Sequence, residues 1–426
     1  MMKTTSLLLL AIASTHALQL SAQEKDDLKA EIEAWKKSRA GQIAASNGLL
    51  PIKNESNLES GELEDGPADE EYERFAATKK IVAELNEANP SATFSTNNQF
   101  AMMTEEEFAA YVKGAFKSAP PARQLRGGRE LTAAQREAAG VDWTTNQCMS
   151  DVRNQGQCGS CWSFAAVGAV EFGHCLVTGQ RVDFSEQQLV SCAPSAGRGC
   201  QGGWPDKALD YIAQTGLCTE SAFPYTSGST EQDGQCQNCQ KTKVSTGNAV
   251  DISGESALQS ALDKQVVTVV VEAGNNVWRN YQSGVVTQCP GAQSDHAVIA
   301  VGYGTKDGVQ HFKIKNSWGT GWGEQGYIYL QRGRGGKGMC NVAERPSYPE
   351  LLGSPSQPTS QPQPTGRPTT KPKPTQKPKP TKKPQNACNG CNGCYYPAAS
   401  QCLSADYDKE YCQYLAPQWG TQWCGA

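Results

Sequence analysis

Apolar residues recur three and four positions apart along Glu24–Arg39 and again along Glu70–Asn86, in sequence otherwise polar and rich in helix-favouring residues. That period collects the apolar side chains on one face, so both stretches are expected to be amphipathic helices. A third helix is expected from Trp162 to Leu176, where Phe164, Val167, Val170 and Phe172 fall near helical spacing and Gly179 can end it. Two later stretches have a different pattern. Val309 to Lys315 alternates as an edge or half-exposed strand does, whereas His296 leads into the strongly apolar run ending at Tyr303. At the N-terminus Lys3 precedes a short apolar run, Leu7 to Ala13, followed by the small residues near Ala17. A bilayer needs about 20 apolar residues, so residues 1–22 read as a signal peptide cut after Ala17 or Ala22. No later stretch is expected to span a membrane.

The chain has 426 residues, enough for two or three domains. Its 39 basic and 43 acidic residues leave a net charge of −4, which gives no basic field for nucleic acid. Seventeen cysteines accompany only four histidines, and Cys/His pairs at zinc-finger spacing are missing. No metal and no cofactor are therefore expected, and an oxidising, secreted setting is. The cysteines also divide the chain: none precedes Cys148, eleven lie from Cys148 to Cys340, and six from Cys388 to Cys424. Between the last two groups, Gly353 to Gln385 consists largely of Pro, Thr, Gln, Lys and Ser, with seven Lys/Arg and no acid. Such a composition suits a semi-rigid linker. The expected organisation is a signal peptide (1–22), a mostly helical pro-segment (23–135), a main domain (136–352), a linker (353–387) and a small cysteine-rich module (388–426). Within the pro-segment, Glu55 to Glu73 holds nine carboxylates and no base.

The strongest local signal is Asn154-Gln-Gly-Gln-Cys-Gly-Ser-Cys161-Trp162. It puts Cys161 at the start of the third helix, where the dipole and free amides favour a thiolate. Eleven cysteines in this zone leave one unpaired. A thiolate needs a base. His16 lies in the signal peptide, His174 sits along the same helix about 20 Å from Cys161, and His311 stands in the alternating strand. His296 remains, in Ser294-Asp-His-Ala-Val-Ile-Ala-Val-Gly-Tyr303.

With Lys315-Asn-Ser-Trp-Gly-Thr-Gly-Trp-Gly-Glu-Gln-Gly-Tyr327, these motifs make residues 136–352 resemble papain-like cysteine peptidases, particularly the cathepsin L-like branch. The resemblance implies an α+β, two-lobed fold with a helical left lobe and a β-barrel-like right lobe. It implies that Cys161 attacks a peptide carbonyl and that His296 is its imidazolium partner. Asn316 would orient that histidine, Trp318 would shield their bond, and Gln155 with the Cys161 amide would form the oxyanion hole. By the same resemblance Gly202 and Gly203 form a ledge for extended polypeptide substrates. Trp204, Pro205, Val270, Ala297 and Arg345 would line the pocket for the second residue before the cut. An inward-facing Arg345, not neutralised by Glu344, would add tolerance for an acidic residue there. The family pattern further implies bridges Cys158–Cys200, Cys192–Cys236 and Cys289–Cys340. Cys218–Cys239 resembles an extra bridge of one branch, and Cys148–Cys175 is what remains.

Asn98-Gln-Phe-Ala and Thr104-Glu-Glu-Glu-Phe108 resemble the family's inhibitory segment, so the chain's own pro-segment is an expected partner, removed between roughly residues 125 and 140. If carboxylates of Glu55–Glu73 are ion-paired, acid would loosen it. The tail's six cysteines and seven aromatic residues, Trp419 and Trp423 among them, suggest a polysaccharide-binding module. Two other readings are weighed. Cys158-Gly-Ser-Cys161 has the spacing of a redox pair, and a catalytically silent secreted protein could act through its tail. The first leaves the His296 and Asn316 motifs unexplained.

Overall fold

The computed structural model describes residues 20–51, 69–112 and 140–353, together with the short pieces 394–396, 401–402 and 422–424. The chain divides into two units, Met1–Thr359 and Ser360–Ala426. Of the second, the structure describes a three-stranded antiparallel sheet: Cys394–Tyr396 is central, with Gln401–Cys402 and Gln422–Trp423 on either side. The expected linker, most of the cysteine-rich module, the stretch 52–68 and the expected pro-segment cleavage region lie outside the described residues.

The first unit opens with α1 (Ala22–Lys37), begun by a reciprocal pair in which Ser21 and Glu24 satisfy each other's backbone amides. Leu28, Ile32 and Trp35 form its buried stripe. Ser38 ends this helix with an extended backbone and caps the next, α2 (Arg39–Ser46), so the expected helix stops two residues before Arg39. α3 (Asp69–Ala88) packs on α1, with the Trp35 and Phe75 rings 6.5 Å apart. The Trp35 indole N–H donates to the Asn98 carbonyl at 3.1 Å, and the Thr78 hydroxyl to that of Ala101 at 2.9 Å. The helical pair thus holds the chain that follows it, β1 (Ala92–Phe94) and α4 (Glu105–Val112).

After β2 (Val141–Asp142) comes the helical lobe: α5 (Cys161–Thr178), α6 (Glu186–Cys192) and α7 (Pro205–Thr215) around Trp162, Val167, Phe172, Leu189, Leu209 and Ile212. α5 ends where Gly179 takes a left-handed conformation. The other lobe is a sheet, built from β3 (Thr246–Asp251), α8 (Glu255–Leu262), β4 (Val267–Val271), α9 (Asn276–Asn280), β5 (Tyr281–Val286), β6 (His296–Lys306), β7 (Val309–Lys315), β8 (Tyr327–Gln331) and β9 (Ser347–Leu351). Its strands run in the order β1-β5-β8-β7-β6-β4-β9-β3, with β2 against β6. Only β5 and β8 pair in parallel. α5 lies so close to β6 that a Cβ on Gly168 would sit 2.7 Å from the terminal methyl of Ile299. The architecture is α+β with a helical and a sheet lobe, as the resemblance implies.

Two features depart from the sequence reading. β7 is not an edge strand but lies between β6 and β8. Its polar positions are covered because His311 packs on Tyr329 at 4.8 Å, Lys313 reaches Asp142 at 2.9 Å, and Lys315 turns inward. The second is β1, a pro-segment strand that joins the sheet through β5 and merges the two apolar cores. Five disulfides tie the lobes: Cys148–Cys175, Cys158–Cys200, Cys192–Cys236, Cys218–Cys239 and Cys289–Cys340. Each restricts the unfolded chain by an amount worth about 2–4 kcal/mol.

Trp35 is both a core ring and a donor to the segment beyond it. Its replacement, Trp35→Ala, is expected to cost about 3–5 kcal/mol. Denaturant titration of the precursor would show an early transition assigned to residues 20–112, and an unchanged midpoint would contradict this account.

Candidate active site

Cys161 is the first residue of α5, and Ser160 before it makes no side-chain cap, so the positive end of the helix is directed at the thiol. The backbone N–H groups of Trp162 and Ala297 favour the charged sulfur. Ala297 follows His296 at the start of β6, in the other lobe. His296 Nε2 lies 2.8 Å from Asn316 Oδ1. That oxygen also accepts the Ser317 N–H at 2.8 Å, which fixes the amide's orientation. A carbonyl oxygen can only accept, so Nε2 carries the imidazole proton and Nδ1 is left as the acceptor. Nδ1 is buried and has no hydrogen-bond partner.

The surroundings are dry. Trp318 stacks on the imidazole at 4.8 Å, Trp278 meets it edge-on at 6.2 Å, and Trp322 stacks on Trp278 at 5.6 Å. Over Trp318 lie Phe100, Phe108 and Tyr111 of the pro-segment, at 5.5, 5.6 and 6.2 Å. Gln99 donates to the Trp318 carbonyl at 3.2 Å. Cys161, His296 and Trp318 are each fully buried. Burial pushes the Cys161 thiol up to about 12, and it pushes the His296 imidazole down to about 4 against a smaller opposing effect of Asn316. Burial at this position therefore opposes the thiolate that the helix terminus favours. Burial also raises the neighbouring Asp295 to about 6, although it accepts the amides of Ala273 and Gly274.

Gln155, wholly buried, is held at both ends of its side-chain amide. Oε1 accepts from the Ser317 hydroxyl at 2.7 Å and Nε2 donates to the Cys158 carbonyl at 3.0 Å. The second Nε2 hydrogen is not consumed by that bond. Cys161, His296, Asn316 and Gln155 are thus brought together through Ala297, Ser317 and Cys158.

The substrate-side residues gather less tightly. Val270 pairs with Ala297 across β4 and β6, and Trp204 packs on the cluster that contains both. Pro205 begins α7 directly after Trp204. Gly202 has φ +98°, and a Cβ on Gly203 would lie 2.5 Å from the Trp162 ring, so both positions need glycine. The Arg345 guanidinium lies 4.6 Å over the Trp204 ring, while Glu344 is taken by Lys337 at 2.7 Å and Ser294 at 2.6 Å.

Sequence reasoning missed several residues here. Trp278 belongs to no quoted motif, and Trp322 was quoted only as part of one. Ser317, which positions Gln155, reads as an ordinary polar residue. Lys315, just before Asn316, is buried, and its ammonium donates to the Ser150 carbonyl at 2.6 Å and hydroxyl at 3.1 Å. Burial holds it down to about 8. Burial likewise raises Glu171, which accepts the Phe184 amide at 2.9 Å and faces Lys315 across the lobes. Glu171→Ala leaves the buried Phe184 amide without its acceptor and should cost about 1–3 kcal/mol. Urea unfolding of the variant tests this, and an unchanged midpoint would contradict it.

Residues 138–350 match the papain family cysteine proteases. Among curated relatives, "Probable cysteine protease RD21B" of Arabidopsis thaliana is 36% identical over 356 residues, covering 82% of this chain and 72% of that protein. "Digestive cysteine proteinase 1" of Homarus americanus is 40% identical over 263 residues, covering 60% and 79%. Among solved structures, the ragweed pollen cysteine protease Amb a 11 in its proform superposes with a TM-score of 0.63 at 29% identity, covering 79% of this chain and 99% of that one. Digestive procathepsin L 3 from the larval midgut of Tenebrio molitor does so at 0.60 and 32%, covering 75% and 99%.

Proposed function

Because the chain belongs to the papain family of cysteine proteases, we propose that it is made as a secreted zymogen and cleaves polypeptides internally through Cys161 and His296. The observation that carries this reading is the state of His296: Nε2–H is committed to Asn316, and Nδ1 is left as a buried, free acceptor. Nδ1 takes the thiol proton. The thiolate adds to the substrate carbonyl, and the resulting oxyanion accepts from Gln155 Nε2 and the Cys161 N–H. The imidazolium then returns its proton to the leaving amine, and water, deprotonated by the same nitrogen, releases the acid from the acyl-enzyme. Trp318 keeps solvent from the orienting bond. Gly202 and Gly203 border an extended substrate, while Trp204, Pro205, Val270 and Ala297 offer an apolar wall for its second residue before the cut. Arg345, drawn over Trp204, completes that wall.

Removal of the pro-segment takes away the burial that holds the pair neutral, so the mature enzyme favours the thiolate–imidazolium form more strongly. A feature of the pro-segment makes that removal acid-sensitive. Arg74 joins Glu70, at 2.6 Å, to Glu107 and to the Met102 carbonyl at 2.9 Å. Its hydrogen bond holds the Glu107 carboxyl below the usual value. A depressed folded pKa contributes stability above the unfolded value of about 4.3 that is lost as pH falls through the folded one. Among the described residues of the acidic stretch, Asp69 pairs with Lys25, Glu70 with Arg74 and Glu71 with Lys36, while Glu107, in α4, is the partner of Arg74 whose pKa is lowered.

An irreversible thiol-directed epoxide tests both statements. It should label Cys161 stoichiometrically in the mature enzyme with loss of peptide cleavage, and leave the precursor unlabelled at pH 7. In the precursor, labelling should begin as pH falls below about 5, and at a higher pH in Glu107→Gln. Equal labelling of precursor and mature enzyme at neutral pH would refute the shielding, and cleavage surviving full labelling would refute the nucleophile.

The Ser21–Glu24 pair begins α1, which supports a signal cut after Ala17 rather than Ala22. The five disulfides suit secretion, or passage to a lysosome or vacuole. For residues 388–426 the proposed role is polysaccharide anchoring beyond a 353–387 linker, supported by the seven aromatic residues. Retention of the full chain on insoluble cellulose, chitin or mixed glucan, lost in Trp419→Ala or Trp423→Ala, is the expected result; full-length enzyme left in solution with all three would remove it.

A further inference from the structure

α9 carries Trp278 to the edge of His296, and the next residue is Arg279. Its side chain is almost completely buried, an expensive place for a guanidinium with five donors to satisfy. One terminal nitrogen donates to the Met103 carbonyl at 2.8 Å, and Nε donates to nothing. Burial lowers its pKa, and the carboxylates of Glu105 and Glu106 partly oppose that effect. One turn back along α9, Asn276 donates to Glu105 at 2.9 Å. Met103, Glu105 and Glu106 all belong to the pro-segment. Once that segment has gone, the partners named here go with it, and a cation is uncovered next in sequence to the indole that borders the catalytic histidine.

The side of the site matters. His296 delivers its proton to the departing amine, so Trp278 at the edge of its ring marks the side of the substrate that follows the cut, and Arg279 extends from the same short helix. Gly202, Gly203 and Trp204 border the other part. From this placement we propose that Arg279 is a specificity-determining residue that selects an acidic side chain in the first residues after the scissile bond, with Glu105 and Glu106 occupying its place in the precursor. This rests on the protease reading above and adds to it a substrate class: peptides with Glu or Asp on the leaving-group side. The interaction is a charge-assisted hydrogen bond in a cleft that becomes open to solvent, so it is sensitive to salt.

Mature enzyme and two matched peptide sets decide it, one varied at the two positions after the cut and one before it. Glu after the cut should be preferred over Gln by roughly tenfold in kcat/KM, the size of one such bond. The preference should shrink at high salt, fall toward unity in Arg279→Gln, survive in part in Arg279→Lys, and turn toward Lys in Arg279→Glu. A second measurement needs no enzyme variant: a synthetic peptide of residues 96–112 should inhibit the wild-type enzyme more tightly than the same peptide with Glu105→Gln and Glu106→Gln. A Glu-to-Gln ratio near one in wild type, or one unaltered in Arg279→Gln, or equal inhibition by the two peptides, would overturn the proposal while cleavage itself upholds the protease reading. Failure to cleave every peptide would remove both.

Discussion

A hydrogen bond between an imidazole and a side-chain amide has little orienting value in water, where both partners exchange freely with solvent. The bond from His296 to Asn316 is different because indole rings enclose it: Trp318 on the face of the imidazole, Trp278 at its edge, Trp322 behind. In that low-dielectric setting the bond is stronger and breaking it leaves unsatisfied groups. The rest of the structure serves this constraint. β6 presents the histidine at its first residue, the end of β7 presents the asparagine, and α5 brings the thiol from the other lobe to the Ala297 amide.

On the proposed reading of residues 23–135 as an inhibitory pro-segment, the same dryness silences the site in the precursor. Phe100, Phe108 and Tyr111 extend the aromatic cluster outward, and the apolar core of the pro-segment is continuous with that of the sheet lobe. Inhibition and folding therefore use the same contacts. β1 adds backbone pairing at β5, so the pro-segment is held by hydrogen bonds as well as by burial. Its charged contacts include the group around Arg74, the pairs Lys25–Asp69 and Lys79–Glu31, and the acidic turn over Arg279. Such pairs are worth little where solvent reaches them, which suits contacts that must be given up.

Residues near in sequence to the catalytic ones carry unequal burdens. Ser317 fixes both Asn316 and Gln155, and Lys315 on the other side of Asn316 enters a buried charged group with Glu171. One short segment thus sets the histidine, the oxyanion donor and the contact between lobes.

Local chemistry and period made much of this legible from sequence alone. The stripe of Leu28, Ile32 and Trp35, the start of α5 at Cys161 and its end at Gly179 depend on neighbours within one or two turns. The family motifs likewise lie in short runs that include Gln155, Cys161, His296 and Asn316. Tertiary structure decided what depends on distant neighbours. The alternating stretch at His311 reads as an edge strand, yet β8 and Tyr329 cover it. Cys161 at a helix terminus reads as a thiolate, yet burial in the folded chain opposes that. Trp278 and Arg279 carry no local signal: folding brings Trp278 to His296 and Trp322, and brings Arg279 to Met103, 176 residues earlier. Periodicity reports which side of an element is apolar; it does not report what will cover the other side, and that cover sets each group's dielectric and its charge.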